Sequence, residues 1–133
     1  MYMKYFFSFF FFISVAAIAQ QKLTLRLSGG DGSGTYQIAF YTQESTFLSF
    51  DGVFKSTSTK TDAIVVEDLP KGEYAIAVFY DENNNGELDT NWIGIPKEPL
   101  GFSIGKMKTF GPPSFTDCTF IVPETTELFI QVK

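Results

Sequence analysis

The sequence predicts an all-β fold, an antiparallel β-sandwich of about seven strands, preceded by a signal peptide. Three observations predict it. Short segments alternate apolar and polar residues, Gly- and Pro-rich turns separate these segments, and no amphipathic helical pattern follows residue 19. Alternation is typical of half-buried strands, because successive side chains of a strand point to opposite faces of the sheet. Many short strands with such turns favour a sandwich.

The amino terminus is predicted to be a secretory signal peptide, residues 1–19. Lys4 is followed by a mostly apolar stretch, residues 5–17, and Ala17-Ile18-Ala19 fits the small-x-small cleavage pattern. A transmembrane anchor is the alternative, but the apolar stretch falls short of the roughly 20 residues that span a bilayer. We therefore expect cleavage after Ala19, a secreted or periplasmic protein, and a single mature domain, residues 20–133, without a membrane span.

Composition restricts the chemistry of the mature chain. It keeps 9 basic and 15 acidic residues, a formal charge of −6, because Lys4 leaves with the signal. This balance argues against nucleic acid as a partner. The absence of histidine excludes Ser-His-Asp and Cys-His catalysis and His-ligated zinc. The single cysteine, Cys118, lies in an apolar alternation, which predicts a small buried hydrophobe rather than a reactive thiol.

The first half of the domain is predicted to begin with two strands, Lys22–Ser28 and Tyr36–Tyr41. The Gly-rich segment between them, residues 29–34, is predicted to be a flexible turn, because it lacks the Lys of a phosphate-binding loop. Residues 45–54 are aromatic and irregular. Residues 56–60 are interpreted as a polar connector.

The second half contains the strongest strand signal, Glu73–Tyr80, which follows a strand at Thr61–Val66. Both faces of Glu73–Tyr80 are apolar, so we expect a central strand that is covered on each side. Two strands, Phe115–Val122 and Thr126–Val132, close the chain. Before them, Ile93–Pro113 is rich in Gly and Pro and shows no regular period. Long ordered segments of this kind are often functional.

The candidate functional site follows the central strand directly. Oxygen-bearing side chains occupy alternate positions from residue 81 to residue 89, and Gly86 permits a sharp turn after the third of them. This layout is typical of loops that wrap oxygens around Ca²⁺. Trp92 stands where a bidentate Glu would complete such a loop, so one or two oxygens are missing, and Glu98 is the best candidate to supply them. The predicted ligands are Asp81, Asn83, Asn85, Glu87 through its backbone carbonyl, Asp89 and Glu98.

A plain turn without metal is the alternative for this loop. Asn85-Gly86 is also the strongest signal for a two-residue hairpin, and Asp- and Asn-rich stretches form turns without a cation. If Ca²⁺ binds, two neutral Asn ligands predict a low affinity, with a dissociation constant of roughly 10⁻⁴–10⁻³ M. Its role would be to fix a loop.

Three functions compete at this point. The preferred one is a non-enzymatic module that binds a protein or glycan at the cell envelope. The second is a small carbohydrate-active enzyme that uses Asp89 and Glu98 as paired carboxylates, and the third is a structural module without metal. A set of four aromatic residues could form either a contact patch or a lid over the core: Trp92, Phe102, Phe110 and Phe115.

Five ordered phrases together resemble a family of small exported bacterial proteins designated domain of unknown function 2141 (DUF2141). They are Leu69–Ala75, Asp81–Asp89, Gly94–Glu98, Gly101–Ser103 and Gly111–Phe115. The resemblance covers nearly all of the mature chain and implies an exported bacterial protein. The Leu-Pro-x-Gly-x-Tyr pattern within the first phrase is also similar to transthyretin-like and carboxypeptidase-regulatory-like sandwiches. That second resemblance implies an immunoglobulin- or prealbumin-like sandwich.

Overall fold

The computed structural model describes residues 21–133, and the predicted signal peptide, residues 1–19, lies outside the described residues. The described chain is mostly β, which confirms the predicted fold class. Helical structure within it is limited to two 3-10 turns, Glu44–Thr46 and Phe50–Gly52, and one α-helical turn, α1, Phe115–Cys118. The strands are β1 Lys22–Ser28, β2 Thr35–Tyr41, β3 Lys55–Thr59, β4 Ala63–Glu67, β5 Gly72–Asp81, β6 Leu100–Phe102, β7 Phe120–Val122 and β8 Glu127–Gln131.

The eight strands form two sheets. One has the order β4-β1-β8, the other has the order β3-β2-β5-β6, and β7 pairs with the start of β5. The pairings are antiparallel apart from β1–β8, which run parallel with Thr24 opposite Glu127 and Ser28 opposite Gln131. A strand's periodicity does not reveal the direction of its neighbour, because side chains alternate in the same way in both arrangements.

Strand β5 is central and covered on both faces, as its sequence predicts. It pairs with β2 along Thr35–Tyr41 and with β6. Tyr74, Ile76, Val78 and Tyr80 belong to the main core between the sheets. Ala75, on the opposite face, packs in a second apolar cluster with Tyr41, Phe102, Phe115 and Cys118. The strand that delivers the candidate loop is therefore anchored on both sides.

The predicted strand Phe115–Val122 is wrong over its first half, where the chain forms α1. Ser114 caps this turn: its Oγ accepts the N–H of Asp117 at 3.3 Å, and the Asp117 carboxylate accepts the N–H of Ser114 at 3.0 Å. Phe115 and Cys118, three residues apart on the turn, both face the second apolar cluster. The capping box overrides the apolar alternation. Cys118 is fully buried, which confirms its prediction as a small buried hydrophobe.

The predicted polar connector at 56–60 is also wrong, because residues 55–59 form β3. This strand lies at the edge of the larger sheet and pairs with β2, with Tyr36 opposite Thr59 and Phe40 opposite Lys55. It alternates Ser and Thr and has no apolar face. Thr nevertheless favours strands, and an edge strand does not need a buried face.

Among residues 21–133, no helix has the length and apolar character that crossing a bilayer requires.

Candidate functional site

Asp81 is the last residue of β5, and it organises the loop that follows. Its side chain is 0% exposed. One carboxylate oxygen, Oδ1, accepts the N–H of Asn85 at 3.2 Å, and the other, Oδ2, accepts the N–H of Gly86 at 2.8 Å. The amide of Gln37 on β2 approaches Oδ2 at 3.4 Å. The buried carboxylate therefore folds the chain back over the end of the central strand.

Three further oxygen-bearing side chains converge in front of Asp81. The Oδ1 of Asn83 accepts the N–H of Asn85 at 3.2 Å, and the Oδ1 of Asn85 accepts the N–H of Glu87 at 2.9 Å. The amide Nδ2 groups of both Asn side chains donate to Asp89, that of Asn85 at 3.0 Å to Oδ1 and that of Asn83 to Oδ2. The side chains at the third, fifth and ninth positions are thus bonded to one another, and the carboxylate at the first position is bonded to the backbone of the fifth.

Glu98 connects the two ends of the loop. Its side chain is 6% exposed. Oε1 accepts the N–H of Glu82 at 3.0 Å, and Oε2 accepts the N–H of Asp89 at 3.1 Å. Lys97 also donates its N–H to the carbonyl of Asp89 at 2.8 Å. The structure therefore brings Glu98 to the loop, where its carboxylate closes the chain as an acceptor of two backbone N–H groups. Sequence analysis did not identify that role.

Two further positions of the loop are exposed. The side chain of Glu87 is exposed to solvent. Trp92, at the twelfth position, is 94% exposed and contributes no oxygen. It lies on a separate turn in which the side-chain oxygen of Asn91 accepts the N–H groups of Ile93 and Ile95, each at 3.0 Å.

Asn85-Gly86 does not form a two-residue hairpin turn, and the alternative of a plain turn without metal is not tested by this. A type I′ turn requires positive φ at both central residues. Here the positive values belong to Asn84, at 56°, and Gly86, at 79°. Strand β5 ends at Asp81 and the next strand begins only at Leu100, so no hairpin is formed at this turn.

The Gly-rich segment at 29–34 is held against this loop by hydrogen bonds. Asn84 donates its amide to the carbonyl of Ser33 at 3.2 Å and accepts the hydroxyl of Thr35 at 2.6 Å. The hydroxyl of Tyr80 donates to Asp31 at 2.9 Å and accepts the N–H of Gly34 at 2.6 Å. These bonds tie the predicted turn to both β5 and the loop. Local sequence patterns do not predict hydrogen bonds between these two segments, because the segments lie about fifty residues apart in the sequence.

The donor set has the chemistry of a hard-cation site. Asp81 and Asp89 supply carboxylate oxygens, Asn83 and Asn85 carry amide oxygens, and Glu87 has a backbone carbonyl, all of which suit Ca²⁺. Within residues 21–133, no three acidic or Cys side chains are grouped closely enough to hold a metal ion by themselves. Any cation here would therefore depend on the two Asn oxygens and the carbonyl. No ion pair found in the described residues involves Asp81 or Asp89.

The four aromatic residues that could form a patch or a lid divide into two pairs. Phe102 and Phe115 are buried in the second apolar cluster. Phe115 packs edge-on against Phe47, with ring centroids 5.7 Å apart. Trp92 and Phe110 are 94% and 99% exposed. The buried pair covers the outer face of β5, and the exposed pair lies on surface turns.

Comparison with known proteins identifies one family. The family model described as "Uncharacterized protein conserved in bacteria (DUF2141)" matches residues 30–129. This range includes the 81–89 loop, Glu98, the strands β2 to β7 and the first three residues of β8. No curated protein and no solved structure matches the chain.

Proposed function

The chain belongs to the bacterial family DUF2141, and from this premise we propose that it is a secreted, non-enzymatic β-sandwich module with a low-affinity structural Ca²⁺ site at residues 81–89. The ligands in this proposal are the side chains of Asp81, Asn83, Asn85 and Asp89, the carbonyl of Glu87, and Glu98. Its partner is a protein or glycan at the cell envelope.

One observation carries the proposal: the carboxylate of Asp81 is fully buried, and no ion pair found in residues 21–133 involves it. Buried carboxylates are ordinarily paired with a cationic side chain or coordinate a metal. The neighbouring carboxylate of Asp89 is surrounded in turn by neutral amide groups. A divalent cation would balance both charges, and in this proposal Asn83 and Asn85 turn their amide oxygens, in place of their NH₂ groups, towards it.

The proposed role of the cation is to fix the segment that follows the loop. Asp89 is joined to Glu98 and Lys97 by backbone hydrogen bonds. A cation bound between Asp81 and Asp89 would therefore hold both ends of this connection.

Thermal unfolding of the purified protein tests the site. With a dissociation constant of about 0.3 mM, 10 mM Ca²⁺ stabilises the folded state by about 2 kcal/mol relative to EGTA. For a domain of this size that raises the midpoint by about 8 °C. Asp89→Asn should abolish the shift. The matched control Glu87→Gln changes an exposed side chain and should retain it. Equal midpoints in Ca²⁺ and EGTA for the unchanged protein would sink the metal proposal.

The enzymatic alternative has less support from the same geometry. Both oxygens of Asp89 accept Asn amides, and both oxygens of Glu98 accept backbone N–H groups. A general acid or base needs an oxygen that can reach a substrate proton. The hydrogen bonds of this pair favour a structural role over acid–base work on a sugar.

A further inference from the structure

Beside β8 the two sheets leave an open cleft of about 580 Å³. One wall consists of β6 and the residues that follow it, 103–107, and the other wall is β8. The volume lies within the range of about 300–1,000 Å³ that is typical of binding pockets.

The wall formed by β8 is a free strand edge. Thr24 donates its N–H to the carbonyl of Thr126, and Val132 donates to Ser28, both at 2.9 Å. This register turns the backbone groups of even-numbered residues 126–132 towards β1. The backbone groups of Glu127, Phe129 and Gln131 consequently point to the opposite edge. Among residues 21–133, no strand pairs with β8 on that edge.

The two walls meet at one end and separate at the other. Leu100 and Lys133 exchange two backbone hydrogen bonds, at 3.0 and 2.9 Å. Next to this pair the chains are still close, because a Cβ on Gly101 would lie 2.7 Å from the carbonyl oxygen of Gln131. Farther from the Leu100–Lys133 pair, towards the start of β8, the backbone N–H and C=O groups of Phe129 and Glu127 face the open part of the cleft.

The lining of the cleft is apolar with a basic rim. Leu128 is half-buried, Phe129 is 71% exposed, and Ile104 and Met107 are exposed on the opposite wall. Two lysines, Lys106 and Lys133, also line the cleft. No ion pair found in the described residues involves either of them, whereas Glu127 is paired with Arg26. Among the side chains that line the cleft, two lysines therefore stand against one glutamate, which is itself paired with Arg26, whereas the chain as a whole is acidic.

We propose that this cleft binds an extended peptide segment of a partner protein, which adds as a strand to the free edge of β8. Backbone groups of Glu127 and Phe129 pair with the incoming segment, as in other cases of strand addition to a sheet edge. Apolar side chains of the segment contact Phe129, Ile104 and Met107, and an acidic side chain faces Lys106 and Lys133.

Charge favours a foreign acidic segment over a second copy of this chain. Two identical clefts placed face to face would bring both copies of Lys106 and Lys133 into one interface. Like charges that meet in an interface oppose association. An acidic segment reverses the sign of that interaction.

The test begins with a library of random nine-residue peptides displayed on phage, from which peptides that bind the folded protein are selected. The affinity of the protein for the selected peptides is then measured by titration. The decisive variants are Phe129→Pro and Phe129→Thr. Proline removes the N–H that points to the cleft and leaves the bonds of β8 to β1 intact, since Phe129 does not bond β1. Threonine removes the aromatic ring and keeps the N–H. We expect Phe129→Pro to weaken binding at least tenfold and Phe129→Thr to weaken it less.

The charge-reversal pair Lys106→Glu and Lys133→Glu provides a second test that leaves the strand backbone unchanged, with Lys60→Glu as a matched exposed control. The double variant should lose at least tenfold in affinity for acidic peptides, and the control should lose none. If circular dichroism shows that Phe129→Pro is unfolded, the affinity of the Lys106 and Lys133 double variant tests the proposal in its place.

Three outcomes overturn the proposal. The first is that no peptide is selected, and the second is that selected peptides bind the Lys106 and Lys133 double variant as well as the unchanged protein. The third is a dimer in sedimentation that Phe129→Pro converts to a monomer, which would make a second copy the occupant of the cleft. None of these outcomes bears on the Ca²⁺ proposal, because the peptide and Ca²⁺ experiments use different residues and readouts.

Discussion

Replacing Glu98 by glutamine tests the closure of the 81–89 loop. The Glu98 carboxylate is nearly fully buried and accepts two backbone N–H groups, from Glu82 and Asp89. Glutamine has the same shape but only one acceptor oxygen, and its NH₂ group would face the second N–H. The substitution therefore leaves one partly buried donor without an acceptor and removes the charge from the other bond.

The expected magnitude follows from those two losses. An unsatisfied buried donor costs about 1–3 kcal/mol, and hydrogen bonds to charged groups contribute about 1.5–3 kcal/mol, of which a neutral bond retains part. Because both donors are only partly buried, the lower end of the first range applies, and we expect Glu98→Gln to lower the free energy of unfolding by about 2 kcal/mol. That is a large fraction of the roughly 5–15 kcal/mol that stabilises a domain.

Urea unfolding in EGTA measures this loss without any contribution from Ca²⁺. With a urea dependence of about 2 kcal/mol/M, the midpoint should fall by about 1 M. The control Glu87→Gln alters an exposed carboxylate and should stay within about 0.5 kcal/mol of the unchanged protein. A loss for Glu98→Gln no larger than that of the control would show that Glu98 does not hold the loop ends.

Repeating the measurement in 10 mM Ca²⁺ separates closure from ligation. If Glu98 is the missing ligand, the stabilisation by Ca²⁺ should be smaller in Glu98→Gln than in the unchanged protein, because one charged oxygen is lost from the cation. An unchanged Ca²⁺ titration would leave Glu98 with the role of a backbone acceptor only.

The buried Ser103 hydroxyl accepts the N–H of Ile76 at 3.1 Å and donates to the carbonyl of Cys118, so Ser103→Ala should lower the free energy of unfolding in urea by about 3 kcal/mol, and a loss below about 1 kcal/mol would contradict this. The hydrogen bond from Lys108 lowers the pKa of Asp117 well below its ordinary 3.8. NMR titration should show a higher pKa of Asp117 in Lys108→Ala than in the unchanged protein. Because the pKa of Asp117 is depressed in the folded state, its bond to Lys108 stabilises the fold above about pH 4. That stabilisation is lost as the pH falls through the pKa of Asp117 in the folded state.

The sequence predicts strands where a buried face leaves an alternating pattern. Strands β1, β2 and β5 each place alternate apolar side chains in the main core, and their bounds agree with the pattern to within one residue. Strand β3 was missed because it lies at an edge and carries Ser and Thr on both faces. The α1 turn was missed although its signal was present, since Ser114 and Asp117 have the spacing of a capping box.

The composition of the site was easier to predict than its connections. Asp81, Asn83, Asn85 and Asp89 come together as the alternate spacing indicates. The double contact of Glu98 depends on how the chain returns after residue 89, and local spacing carries no information about that path. The hydrogen bonds from Asn84 to Ser33 and Thr35 could not be predicted for the same reason, because they form between positions that are distant in sequence.

Three consecutive residues connect the loop, the central strand and the cleft. Glu98 bonds the backbone of the loop, Pro99 accepts the N–H of Tyr80 on β5 at 2.9 Å, and Leu100 exchanges two hydrogen bonds with Lys133. Each of these three residues is therefore hydrogen-bonded to a different part of the fold. Strand β6 is one wall of the cleft. The loop and the cleft therefore adjoin the same stretch of backbone, residues 98–100, while the variants that test them lie at different residues.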